Sequence, residues 1–187
     1  MKASENKYLT VLSGVVLNDA NEEVICLLDP EFEKHDIRAS VTSCIRTYDQ
    51  QLEIIRKEAI KVGLMAEHPL LEHFDLNTVV EFNGKLIPVW QEIWSECLSR
   101  GVMVNPPTPT ACLFPYTKPN GEKRHAGNVV PTSAHQQGKA FDIGGGNMLD
   151  AIVVVVSAAF TAQTISGIKG YLKEPTNNCC HVDVRTI

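Results

Sequence analysis

The sequence lacks any CxxC pair. Its six cysteines, Cys26, Cys44, Cys97, Cys112, Cys179 and Cys180, are scattered or, for the last two, adjacent. That excludes a thiolate zinc knuckle, and the thiols are expected to be reduced and mostly buried. Long apolar runs are missing too. The longest, Ala151–Phe160, has ten residues and already contains Ser157, whereas a bilayer span needs roughly 20. The opening MKASENKYLT has no apolar h-region, so synthesis in a cytoplasm without a secretory signal is expected. Basic charge is not in excess: 17 Lys+Arg against 22 Asp+Glu leave a net −5. A protein that grips nucleic acid through its phosphates needs the opposite balance. Neither an internal repeat nor a low-complexity tract is present.

What remains is a chain of 187 residues, 44% apolar and 21% charged. That is enough to bury one core, so a single domain over 1–187 is expected, with a small N-terminal appendage over 1–35. Residues 8–17 and 22–28 flank Asn18-Asp19-Ala20-Asn21 and read as two short strands around a turn. Ile37–Ile45 reads as another strand. Thr47 with Gln50 three residues later forms a capping box, and Leu52, Ile55, Ala59 and Val62 follow at helical spacing, giving a helix over 48–62. Val79–Ile87 reads as a hairpin around Asn83-Gly84. Pro88 then suits a helix start, with Trp90, Ile93, Trp94, Cys97 and Leu98 as its core stripe. Residues 105–132 hold six prolines and two glycines and read as a long loop, locally basic through Lys118, Lys123, Arg124 and His125. Residues 148–160 suit a strand by propensity and a buried helix by length. At the end, His181, Asp183 and Arg185 alternate with Val182 and Val184, the pattern of a half-buried strand.

Chemistry gathers at three places. Ser133-Ala-His135-Gln-Gln-Gly138-Lys-Ala140-Phe-Asp142 holds an imidazole and a carboxylate, with Gly138 allowing a tight turn between them. His181 begins the last strand. Arg46 stands where a strand meets the capped helix. Two imidazoles and one carboxylate make a catalytic zinc set that keeps a fourth position open. Such a site retains about +1 charge, which lowers the pKa of water toward ~7 and polarises a carbonyl. A neighbouring arginine suits a developing oxyanion or a substrate carboxylate. His35, His68, His73 and His125 have no ligand-like partners, and His68 and His73, five apart around Pro69, read as surface residues.

Ser133–Asp142, the terminal His181-Val182-Asp183 and the upstream Ser43–Gln51 resemble the zinc D-alanyl-D-alanine carboxypeptidase family. That family includes phage L-alanyl-D-glutamate endolysins and has the hedgehog/DD-peptidase fold. Gly167–Tyr171 is similar to its glycine-rich strand before the last histidine. The resemblance covers 40–63 and 131–187. It implies an α+β fold: a small antiparallel sheet, helices on one side and the metal on the open face, with 148–160 a helix. It implies Zn2+ held by His135, Asp142 and His181, and Arg46 facing the substrate and the oxyanion. It also marks 64–130 as an insertion that forms a lid or a substrate wall. The family's general base stands just before the last zinc histidine. Here Asn178 and Cys179 occupy that place, which leaves Asp183, in the final strand, or Glu174, read as lying in the preceding loop. The implied activity is hydrolysis of peptidoglycan stem peptides beside a D-residue, by a phage or prophage lysin released to the wall or carried in the virion. The alternatives are a zinc-binding, hedgehog-like module without turnover and a cytoplasmic dipeptidase of D-Ala-D-Ala type.

Overall fold

Asn18 does not sit in a turn between strands; it caps a helix. In a computed structural model of the chain, α1 runs Asp19–Lys34 and the Asn18 side chain accepts from the Asn21 backbone N–H. The expected strand over 22–28 is thus corrected. Asn21, Val24, Ile25, Leu28 and Phe32 recur at helical spacing and are all buried, and that period outweighs the local β-propensity. The structure describes residues 2–64, 75–82, 84–102, 104–105, 110–111, 116–117, 123–124, 129–130, 133–144 and 146–185. Within them the fold is mixed α/β, with four α-helices and a five-stranded sheet.

The chain divides into two compact units, 1–46 with 137–187, and 47–136. In the first, β1 (Leu9–Val11) pairs in parallel with β2 (Ala39–Ser43), and α1 is the crossover between them. Parallel neighbours require such a crossover, so the sheet is mixed rather than antiparallel throughout. The segment 1–35 is no appendage: it supplies an edge strand, a core helix and, through the Asp29 carboxylate, acceptors for the backbone N–H of Tyr8 at 2.8 Å and Leu9 at 2.6 Å. The other three strands, β9 (Ala140–Gly144), β10 (Ile168–Glu174) and β11 (Cys179–Val184), complete the order β1-β2-β9-β11-β10 with antiparallel pairing.

One face of this sheet is dry. Val41, Phe141, Ile143, Cys180, Val182 and Val184 form a single core with α1 and with α4 (Leu149–Thr161). Residues 149–161 are therefore a helix, as the resemblance implied. Its Ile152, Val155, Val156 and Ala159 are buried, while Val154 is 61% exposed. Alternation then sends Asp142, His181 and Asp183 to the opposite face.

The second unit has its own core. α2 (Tyr48–Lys61) carries the expected capping box, with both Thr47 and Gln50 bonds present. β3 (Val79–Phe82) and β4 (Lys85–Pro88) form the expected hairpin, and α3 (Val89–Ser99) follows it. Ile55, Leu64, Leu76, Ile87, Trp90, Ile93, Trp94, Cys97 and Leu98 pack together, and the Trp94 indole donates to the Val104 carbonyl at 2.7 Å. Two-residue strands punctuate what reads as loop: β5 (Thr110–Ala111) pairs with β8 (Val129–Val130), and β6 (Tyr116–Thr117) with β7 (Lys123–Arg124). The interruption is thus wider than 64–130, because α2 belongs to the second core. Among the described residues no helix is long and apolar enough to cross a membrane.

Candidate metal centre

His135, Asp142 and His181 each offer a ligand atom, and these atoms lie within 4.8 Å of one another. Three local features bring them there. Register comes first: His181 on β11 is directly opposite Asp142 on β9, and cross-strand partners point to the same face. A bulge comes second. β2 and β9 slip by one residue between Val41 and Ser43, so that Ser43 rather than Thr42 opposes Asp142. Bulges of this kind re-aim side chains beside functional sites. Third is the turn over 134–138, which carries the buried His135 and closes at Gly138 with φ +65°. The boundary between the two units falls inside this turn, after Gln136.

Asp142 is nearly buried, and a lone carboxylate there would be costly. Its Oδ2 accepts from Arg46 Nη2 at 2.7 Å, and its Oδ1 lies 3.0 Å from His181 Nδ1. Arg46 Nε in turn donates to Ser43 Oγ at 3.0 Å. Here the structure adds to the expectation for Arg46. Its guanidinium holds the Asp142 carboxylate.

Burial pushes the His181 pKa down, but the hydrogen bond and charge of Asp142, with the charges of Asp183 and Glu174, outweigh it and leave it raised. Asp183 Oδ1 lies 3.3 Å from His181 Nε2. His181 thus spans two carboxylates, with Nδ1 toward the cluster and Nε2 toward Asp183. Glu174 is not in a loop: it is the last residue of β10 and pairs with Cys179. Its Oε2 accepts from Asn177 at 2.8 Å and from Cys179 Sγ at 3.7 Å.

The donor chemistry fits zinc: two imidazoles and one carboxylate converge, and the carboxylate is fixed by an arginine. Among the described residues, no cysteine joins this ligand group. Cys44, Cys179 and Cys180 are buried and in no disulfide, as are Cys26 and Cys97. Burial, helped by the Asp142 charge, pushes Cys44 to about 11 and Cys180 to about 12, and pushes Cys179 up as well. Cys112 lies outside the described residues, as do His68, His73 and His125. His35 ends α1 as its C-cap, away from any ligand group.

Two residues of the site's surroundings escaped the sequence reading. Asn18 and Asn21 both donate side-chain amides to the Gly138 carbonyl, at 2.9 and 2.8 Å. The available signal was Asn18 followed by a helical apolar period, which marks an N-cap. No family model, curated protein or solved structure matches the chain.

Proposed function

We propose that the chain is a zinc-dependent peptidase that hydrolyses peptidoglycan stem peptides next to a D-residue, with the hedgehog/DD-peptidase architecture. One observation carries the reading: His135, Asp142 and His181 converge within 4.8 Å, in the order and spacing of that family's zinc ligands. The helix-backed sheet with its ligands on the other face is the arrangement the family implies. A phage or prophage lysin that reaches the wall after release, or in the virion, is the context that fits this substrate.

Zinc, when bound, supplies Lewis acidity that activates water and polarises the scissile carbonyl. The chain's own residues do the rest. Arg46 and Ser43 fix Asp142. Arg46 Nη1, engaged by neither Ser43 nor Asp142, is the donor for a developing oxyanion or a substrate carboxylate. Proton transfer falls to a carboxylate on the ligand face, Asp183 in first place and Glu174 in second. The bond from Asp183 to His181 also suits an orienting role, since a partner on the outer nitrogen fixes a ligand imidazole.

Purified sacculi test the proposal. Fragments with new termini beside a D-residue, found by mass spectrometry and absent with His135→Ala, are the expected result. Intact sacculi with a zinc-loaded protein would favour a second reading, a zinc-binding module without turnover. That reading draws on the engagement of both Asp183 and Glu174 by neighbouring side chains. Hydrolysis of free dipeptide but not of sacculi would point instead to a dipeptidase. The base is assigned by Asp183→Asn. Full zinc with lost turnover makes Asp183 the base. A zinc affinity lower by roughly 10–100-fold makes it an orienting partner. A near-parent rate beside an inactive Glu174→Gln moves the role to Glu174.

A further inference from the structure

The N-terminus of α1 touches the turn that carries His135, and it does so through side chains rather than through its dipole. Asn21 is fully buried. Its Nδ2 donates to Gly138 O at 2.8 Å and to Asn18 Oδ1 at 2.6 Å, which uses both of its protons. Asn18 divides its amide between two tasks. Oδ1 caps α1 by accepting from the Asn21 N–H at 2.9 Å, and Nδ2 donates to Gly138 O at 2.9 Å. The Gly138 carbonyl therefore accepts two side-chain amides, more than a turn needs merely to be satisfied. Gly138 itself adapts to this clamp. A Cβ there would stand 2.5 Å from Asn18 Nδ2, in a left-handed conformation at φ +65°.

We propose that Asn18 and Asn21 are positioning residues for the metal centre: they lock the turn that presents His135, and they do so through α1, a segment outside every motif that suggested the site. The inference rests on the zinc reading above. Its physical basis is that a ligand on a turn holds its place only if the turn is fixed to a rigid element. α1, with its buried face in the core, is that element.

Asn18→Asp separates the two tasks of Asn18. The carboxylate still caps α1, but it has no proton for Gly138 and turns an oxygen toward that carbonyl. Zinc affinity, read by competition with a chromogenic chelator, is expected to fall about tenfold or more. The visible absorption of the Co2+-loaded protein, which reports the ligand set, should change shape. Asn21→Ala and Gly138→Ala should do the same, and Gly138→Ala combined with Asn18→Asp should cost less than the sum, because both break one clamp. Val24→Ala is the control. It loosens α1 in the core without touching the clamp, so it should lower Tm while keeping parent-like zinc affinity and Co2+ spectrum. Clamp variants that lower Tm yet keep parent zinc affinity and spectrum would overturn the inference and leave the zinc reading standing. A parent chain that binds no zinc would overturn both.

Discussion

Unit 1 stacks two helices on one face of a five-stranded sheet, and the other face carries Asp142, His181 and Asp183. Unit 2 buries two helices and a hairpin around Trp90 and Trp94, and of the three proposed ligands it contains only His135, on a turn at the end of its chain segment. The difference is one of geometry. A strand shows its residues alternately to two environments, so one element can feed a dry core and a polar site together. A helix that turns its apolar stripe inward leaves a solvated face with no comparable convergence. Two of the three proposed ligands stand where the period is two.

The largest expected effect breaks this contrast at the ligands. His181→Ala should abolish stoichiometric zinc in metal analysis of the purified protein, against about one per chain in the parent. Equal zinc in both would remove the sheet face from the site. Next is the core of the other unit. Trp94→Ala removes a fully buried indole and its bond to Val104 and should cost about 3–5 kcal/mol in denaturant unfolding. Arg46→Ala comes third. It strands the nearly buried Asp142 carboxylate, and breaking such a pair costs roughly 3 kcal/mol. The loss should be greatest without zinc and shrink when zinc shares the charge of Asp142. A variant equally stable with and without metal would separate Arg46 from the ligand.

Acidity gives a smaller effect. The raised His181 pKa stabilises the metal-free fold at pH below the ordinary histidine value. That contribution is lost as pH rises through the raised pKa. Zinc needs the neutral ring, so its affinity should fall as pH drops through the same point. Asp183→Asn removes one of the charges that raise this pKa and should move the midpoint of a chelator-competition curve to lower pH. Smallest of all, reducing agent should leave Tm unchanged, because the five described cysteines form no disulfide.

How legible was this from residues alone? His135, Asp142 and His181 were, because a turn glycine and a strand alternation carry local signals, and the structure brings all three together. Helices α2 and α3 were legible through the Thr47–Gln50 box and the tryptophan stripe. α1 was missed because its first turn, Asn-Asp-Ala-Asn, also spells a hairpin loop, and only the burial of Val24, Ile25, Leu28 and Phe32 decides between them. The Thr42 bulge and the Arg46–Asp142 pair were out of reach, since both depend on the register of segments far apart in the chain. Glu174 was read as lying in the loop before the last strand, but β10 continues up to it.

The discontinuity of unit 1 also sets an order of events during synthesis. β1, α1 and β2 emerge first, yet the strand that pairs with β2 follows far behind: Thr42 meets Asp142 across 100 residues. All of unit 2 is made in that interval, from contacts much nearer in sequence. Until β9 is made, α1 has only β1 and β2 of the sheet to cover Val24, Leu28 and Phe32. Closing so long a loop is slow, and the open half-core is prone to aggregate until β9 arrives. Slower translation across residues 47–136 is therefore expected to lower the yield of folded protein.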